Sequence, residues 1–80
     1  MTERELQNSI LGAIKSHKDA NNGAMIPFQT LSVQMGMTET DLQKALRALK
    51  MLDCVRYTED DKTFVPLLVD ITINGKNRLK

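Results

Sequence analysis

The sequence predicts an α+β domain in which three helices precede a β-hairpin. Apolar residues recur at helical spacing in three segments before residue 53, and β-branched and aromatic residues become frequent after it. Of the 80 residues, 41% are hydrophobic and 26% are charged, a composition typical of a globular protein and not of a disordered, collagen-like or membrane-spanning chain. A chain of this length forms one domain, so a single unit is predicted over residues 1–80.

The first helix is predicted over residues 3–20. Thr2 and Glu5 have the spacing of a capping box, in which the hydroxyl accepts a hydrogen bond from a backbone amide three residues later. The helix is expected to end before Gly23, which accepts a left-handed conformation. One apolar stripe runs along it: Leu6, Ile10, Ala13 and Ile14.

Two further helices are predicted over residues 28–35 and 39–52, with a tight turn between them. Pro27 pushes the preceding residue out of the helical region and is tolerated in a first helical turn. Gly36 is expected to end the second helix at positive φ, and Thr38 is expected to cap the third. The third helix has its own apolar stripe: Leu42, Ala45, Leu46 and Leu49.

A β-hairpin is predicted after Asp53. Two runs of β-type residues, 54–58 and 63–65, are separated by four polar residues at positions 59–62. We expect the two runs to pair as antiparallel strands, with the polar residues at the turn between them.

The last part of the sequence, residues 67–80, allows two interpretations. Asn74 and Gly75 follow alternating apolar residues and suit the type I′ turn of a hairpin. Alternatively, Thr72 caps a short fourth helix in which Ile73 and Leu79 pack inward, with an unfavourable glycine inside the helix. The residues after Gly75 are too polar for a convincing return strand, so the helix is the preferred interpretation.

Residues 26–55 resemble the winged helix-turn-helix superfamily, and the order of elements along the chain extends the resemblance to nearly all of it. Asp53 stands where that family often has glycine, and aspartate accepts turn conformations. The closing segment is similar to the part that follows the wing in small bacterial and phage regulators. The resemblance is carried by Leu31, Ser32, Gly36, Thr38 and the leucines of the third helix.

The resemblance implies a DNA-binding regulator whose third helix enters the major groove. Gln43 is suited to bidentate pairing with adenine, and Arg47 to pairing with guanine or a phosphate. Such polar residues are also common on any solvent-exposed helix face. The candidate DNA contacts on the third helix and its cap are Thr38, Thr40, Gln43, Lys44, Arg47 and Lys50, and those on the second helix are Gln29, Thr30 and Gln34.

The turn of the predicted hairpin carries the acidic residues Glu59, Asp60 and Asp61 beside a single Lys62. Clustered carboxylates repel phosphates within a Debye length of about 10 Å. The hairpin is therefore expected to point away from DNA or to bind something basic. This leaves a second interpretation open, in which the chain is an adaptor or inhibitor that binds a basic protein surface.

The charge balance does not by itself indicate a nucleic-acid binder. Eleven lysines and arginines against ten aspartates and glutamates give a net charge of +1. With about three or four phosphate contacts per chain, a monomer is expected to bind weakly. A homodimer that places two third helices about 34 Å apart, one turn of DNA, is therefore a further expectation.

No enzymatic activity, cofactor, metal or small-molecule ligand is expected. His17 and Cys54 are the only residues of their types, and one of each cannot complete a zinc site. No apolar run reaches about 18 residues, and the N-terminal sequence lacks the apolar stretch of a signal peptide. A lone cysteine suits a reducing compartment, so a cytoplasmic location is expected.

Overall fold

The computed structural model describes residues 2–79, which form four helices and a three-stranded antiparallel sheet. The helices are α1 (Glu3–Ala20), α2 (Phe28–Met35), α3 (Glu39–Met51) and α4 (Ile73–Arg78). The strands are β1 (Ile26–Pro27), β2 (Val55–Glu59) and β3 (Pro66–Ile71), with β3 in the middle of the sheet. The predicted α+β class, with three helices before a C-terminal hairpin, is confirmed.

The first three helices begin and end within one residue of the predicted positions. Thr2 Oγ1 accepts a hydrogen bond from the Glu5 amide at 3.1 Å, and Thr38 Oγ1 accepts one from the Asp41 amide at 3.2 Å. Gly36 ends α2 with a φ of 63°, as its lack of a side chain allows. Capping and the left-handed stop depend on residues close in sequence, which is why these boundaries were predictable.

One hydrophobic core lies between the three long helices and the sheet. The predicted apolar stripes of α1 and α3 face it, with most of their members fully buried and Leu6, Ala13 and Ala45 partly buried at its margin. The sheet contributes Ile26, Val69 and other residues from its inner face. The core residues with no exposed surface on the helices are Ile10, Leu11, Ile14, Leu31, Leu42, Leu46 and Leu49.

The second strand of the hairpin lies later in the sequence than predicted. β2 pairs with β3 through Val55 opposite Ile71 and Tyr57 opposite Val69, so the prediction of a strand at residues 63–65 is wrong. Val69 also lies opposite Ile26 of β1, so β3 pairs with a strand on each side and buries apolar residues. These contacts explain why the second strand forms here and not at residues 63–65. Residues 60–65 instead form a loop, called the hairpin loop below.

The terminal helix α4 forms as preferred from the sequence. Thr72 Oγ1 accepts a hydrogen bond from the Gly75 amide at 3.2 Å, and Leu79 packs against the core. The predicted inward packing of Ile73 is wrong, because its side chain is 73% exposed. The buried residue of the first turn is Gly75, two positions later, and residues two apart lie on nearly opposite sides of a helix.

Two polar contacts connect the C-terminal elements to α1. Arg78 Nη2 donates a hydrogen bond to Gln7 Oε1 at 2.6 Å, and the ammonium of Lys18 lies 2.5 Å from a carboxylate oxygen of Asp70 on β3. These contacts hold α4 and the central strand against the first helix. The outer side of α3 and the hairpin are left uncovered.

Candidate nucleic-acid interface

An exposed ridge runs along α3 on the side away from the core. Leu42, Leu46 and Leu49 turn inward, and the exposed residues on the opposite side recur three or four positions apart. This ridge carries two positive charges and no negative charge. Its members, called the outer ridge below, are Thr40, Lys44, Arg47 and Met51.

A second edge of α3 faces the hairpin and carries Gln43 and Lys50. Gln43 Nε2 donates a long hydrogen bond to the Phe64 carbonyl oxygen at 3.4 Å. Lys50 Nζ lies 3.9 Å from Glu59 Oε1 and 4.8 Å from the centroid of the Tyr57 ring. The predicted DNA-contacting residues of α3 are therefore divided between a free outer ridge and an edge that already contacts the hairpin.

Thr38 lies at the N-terminal end of α3, and Lys44 lies on the side of α3 that faces α1. Thr38 is exposed and caps the helix through the Asp41 amide. Lys44 borders a shallow open groove of about 330 Å³ between α1 and α3, whose lining is mostly apolar and includes Leu6 and Met37. Lys44 therefore lies on the α1 side of the outer ridge, and Arg47 lies toward the hairpin side.

The predicted residues of α2 lie together on its exposed outer surface. Gln29, Thr30 and Gln34 surround Val33, whose side chain is 83% exposed. Sequence reasoning missed Val33, because a single exposed valine has no signal in the helical pattern. This surface is uncharged, since residues 21–37 contain no Asp, Glu, Lys or Arg.

The three acidic residues of the hairpin have different environments. Asp60 Oδ1 accepts hydrogen bonds from the backbone amides of Thr63 at 3.0 Å and Lys62 at 2.8 Å, and these two bonds hold the pKa of Asp60 below its ordinary value. Glu59 faces Lys50, as described above, and Asp61 is exposed. Asp60 thus has a structural role within the hairpin loop, and the predicted cluster does not present three equivalent carboxylates.

The hairpin loop exposes an aromatic side chain that sequence reasoning had assigned to a strand. Phe64 is 62% exposed and has a φ of 59°. Its amide donates to the Asp60 carbonyl oxygen at 2.9 Å, and the Asp60 amide donates to the Val65 carbonyl oxygen at 3.0 Å. The sequence signal that could have located this loop is Asp60, because aspartate often accepts hydrogen bonds from amides two or three residues later in turns.

Residues 2–79 contain no group of three or more His, Cys, Asp or Glu side chains placed to hold a metal ion. Cys54 is buried where β2 begins, and His17 is half-buried on α1. None of the helices within that range has the length and hydropathy needed to cross a membrane.

Solved structures share this arrangement of helices and strands. A MarR-family transcriptional regulator from Silicibacter pomeroyi superposes with a TM-score of 0.69 at 19% sequence identity, over 99% of this chain and 47% of that one. Two mutants of MepR from S. aureus superpose with TM-scores of 0.72 and 0.71 at 15% identity, over 99% and 92% of this chain and 52% and 51% of theirs. The chain has the winged helix-turn-helix fold.

Within this winged helix, α2, the Gly36 turn and α3 form the helix-turn-helix, and the β2–β3 hairpin is the wing. The chain spans about half the length of the similar structures, whose identity to it is below 20%. The sequence matches no protein-family model and no curated protein. The comparisons therefore establish the fold and not the function.

Proposed function

We propose that this chain binds double-stranded DNA with α3 in the major groove and acts as a transcriptional regulator. The observation that carries the proposal is the outer ridge, an exposed side of the second helix in a helix-turn-helix whose two charged residues, Lys44 and Arg47, are both cations. An α-helix fits the major groove, and exposed Lys and Arg side chains on it reach base edges and phosphates. The similar structures described as transcriptional regulators support the same function.

The outer ridge supplies the central contacts in this proposal. Arg47 lies in the third turn of α3 and pairs with guanine or a phosphate through two parallel hydrogen bonds. Lys44 contacts a phosphate, and the Thr40 hydroxyl donates to a base or to the backbone. Gln29, Thr30 and Gln34 of α2 contribute uncharged hydrogen bonds to the sugar-phosphate backbone.

The edge of α3 that faces the wing supplies weaker contacts. Gln43 and Lys50 reach DNA only by exchanging their present contacts, which are long: 3.4 Å from Gln43 Nε2 to the Phe64 oxygen and 3.9 Å from Lys50 Nζ to Glu59. Long, partly exposed contacts of this kind contribute about 0–1 kcal/mol each, so a phosphate or base can replace them. Thr38 remains the N-cap of α3, so its only contact with DNA is a hydrogen bond donated by its hydroxyl group.

The small number of cations favours a homodimer as the DNA-binding form. Lys44, Arg47 and Lys50 correspond to about three phosphate contacts and to a log-log salt slope of about −3 per chain. Two copies with their α3 helices about 34 Å apart would double that number and bind successive major grooves. Sedimentation velocity at high protein concentration tests this part, and a monomer would contradict it. This function fits the cytoplasmic location that the sequence predicts.

Substitution of Arg47 tests the proposal. Fluorescence anisotropy with a labelled mixed-sequence duplex at low salt should show Arg47→Ala binding about tenfold more weakly, with the salt slope reduced by about one. The matched control is Lys15→Ala, which removes a cation from the exposed Lys15–Asp19 pair on α1, away from α3. Equal DNA affinity of Arg47→Ala and the wild type, with circular dichroism showing both folded, would contradict the proposal.

A further inference from the structure

A basic cleft lies between the C-terminal half of α1 and α4, and no residue of the proposed DNA interface borders it. The cleft has a volume of about 420 Å³, and its lining includes Lys15 and Lys18 from α1 and Lys76 from α4. Three ammonium groups there face two carboxylates, Asp19 and Asp70, so the cleft keeps a net positive charge. It is called the basic cleft below.

The lysines of the basic cleft differ in how far their charge is already compensated. Lys18 Nζ lies 2.5 Å from Asp70 Oδ1, and Lys15 Nζ lies 3.1 Å from Asp19 Oδ2. Lys76 is exposed and has no ion-pair partner within residues 2–79. Lys76 is therefore the cation of the cleft that is free to pair with an incoming carboxylate.

The opposite charge is found at the other end of the sheet. β3 begins beside the hairpin loop and ends at Ile71, which lines the basic cleft. Asp61 of the loop is exposed and has no ion-pair partner in the described part of the chain. Glu39 adds a further carboxylate, because it lies across a small groove from the end of the loop. The charged residues of this acidic end, with a net charge of −2, are Glu39, Asp60, Asp61 and Lys62.

The hairpin loop and the basic cleft of one chain are too far apart to meet. The six residues of β3 separate them, a distance of about 17 Å at about 3.3 Å per residue. A contact between the two complementary surfaces therefore needs two copies of the chain. In such a contact the free carboxylate of Asp61 is available to the free ammonium of Lys76.

Two further observations favour a second copy as the occupant of the cleft. Asp60 Oδ1 accepts hydrogen bonds from the amides of Lys62 and Thr63, so the loop is already ordered and loses little conformational freedom on docking. The molecule is 36 Å in its longest dimension, so copies joined through opposite ends have a spacing close to one turn of DNA, about 34 Å. This is the spacing that the proposed function requires of two α3 helices.

We propose that the hairpin loop of one copy docks in the basic cleft of another, with Asp61 paired with Lys76. The inference rests on the proposed function in one respect, since it names the contact surfaces of the homodimer proposed there. A contact between two different surfaces does not close on a pair of copies, so further copies can add to either end. The acidic wing then has a role that does not need contact with phosphates.

Charge reversal tests the inference by sedimentation velocity without DNA. At low salt the wild type should associate, with species larger than a dimer at the highest concentration, and it should return to a monomer near 1 M salt, where the Debye length is about 3 Å. Asp61→Lys and Lys76→Glu should each weaken association about fivefold or more, because each replaces attraction by repulsion. The double variant Asp61→Lys/Lys76→Glu should associate within about twofold of the wild type.

The matched controls make the same changes of charge in the first turn of α1. Glu5→Lys and Arg4→Glu alter exposed residues outside both docking surfaces and should associate like the wild type. Circular dichroism should show that every variant is folded. A wild type that stays monomeric at low salt, or one whose association neither reversal weakens, would overturn the inference. A double variant no better than the single variants would do the same.

Arg47→Ala separates this inference from the proposed function. Arg47 lies on the outer ridge, so its removal should leave self-association unchanged while DNA binding is weakened. If Arg47→Ala loses DNA affinity and both charge reversals associate like the wild type, the inference is overturned and DNA binding by α3 stands. If the reversals weaken association while Arg47→Ala binds DNA like the wild type, the contact between copies stands and the proposed function has failed.

Discussion

The helical part of the chain, residues 2–52, and the C-terminal part, residues 53–79, are held by different kinds of contact. The helices are bounded by residues three positions apart, such as Thr38 and Asp41. In the C-terminal part, Thr72 donates to the Asp53 carbonyl oxygen and Asn74 donates to the Asp53 carboxylate at 3.0 Å, over 19 and 21 positions. Local signals therefore define the first part, and contacts between distant residues define the second.

Gly75→Ala should have the largest effect on stability. A β-carbon at this position would overlap the Cys54 carbonyl oxygen and come within 2.7 Å of Ile71 Cγ1, so α4 would have to move away from the sheet. Overpacking of this kind lowers the free energy of unfolding by about 1–3 kcal/mol. Because the clash here is with backbone, we expect a loss of about 3 kcal/mol, measured from the lower midpoint of urea unfolding.

The control for this variant lies in the helical part. Gly12→Ala in α1 meets nothing within 4 Å and should stabilise the protein by about 0.5–1 kcal/mol through helix propensity. Opposite signs at the two glycines would support the comparison of the two parts. A Gly75→Ala variant as stable as the wild type would contradict the close approach of α4 to the sheet.

Removal of a threonine cap should cost more stability in the C-terminal part, at Thr72, than in the helical part, at Thr38. Thr72→Ala removes a cap from the Gly75 amide and a donor from the Asp53 carbonyl oxygen at a residue that is only 9% exposed. Thr38→Ala removes only an exposed cap. We expect losses of about 2 and about 1 kcal/mol respectively in thermal or urea unfolding. Equal losses would mean that the Asp53 contact contributes nothing.

Asp60→Ala should loosen the hairpin loop without unfolding the domain. Amide hydrogen exchange should become faster at Lys62 and Thr63, which lose their acceptor. Asp61→Ala is the matched control, because Asp61 is exposed and adjacent in the same loop. Unchanged exchange at both amides in Asp60→Ala would show that other contacts hold the loop.

The same loop should respond to acid. The pKa of Asp60 is lowered in the folded protein by its backbone hydrogen bonds to Thr63 and Lys62. Its contribution to stability is therefore present above the ordinary aspartate pKa and is lost as the pH falls through the lowered pKa. Exchange at Thr63 should accelerate, beyond the change expected for an unstructured peptide, only in that acidic range. A transition near neutral pH would contradict this assignment.

Glu59→Gln should have the smallest effect of these substitutions. Glu59 belongs to the C-terminal part of the chain and pairs with Lys50 of the helical part. Removing this carboxylate releases Lys50 for a phosphate, so DNA affinity should rise about two- to threefold at low salt, in line with the small contribution of an exposed ion pair. Asp19→Asn changes the net charge equally but on α1 and is the control. If the two variants bind DNA alike, the effect comes from net charge and not from Lys50.

Prediction from the sequence succeeded where the determining contacts are local. The bounds of α1, α2 and α3 followed from Thr2, Gly36 and Thr38 together with the apolar spacing. Prediction failed for the second strand of the hairpin, because residues 63–65 have side chains that are common in strands. The true position of β3 follows from the pairing of Val69 with Ile26 on one side and with Tyr57 on the other, which the sequence does not show. Prediction also placed Ile73 inward, since nothing in the sequence shows that Gly75 is the residue that approaches Cys54.

The candidate interface was predicted in part for the same reason. The helical spacing selected the exposed residues of α3, including Lys44 and Arg47, because inward and outward positions follow from the period. The contacts of Gln43 with Phe64 and of Lys50 with Glu59 depend on where the wing lies against α3. That arrangement is a long-range property, so the division of α3 into an outer ridge and a wing-facing edge required the structure.

The central claim is that α3 carries the DNA-binding surface. Titration of the ¹⁵N-labelled protein with a mixed-sequence duplex, at low salt and then at physiological salt, tests it most directly. We predict salt-sensitive amide shifts along α3 and on the outer surface of α2. Absence of shifts even at low salt, or shifts confined to α1 and α4, would contradict it.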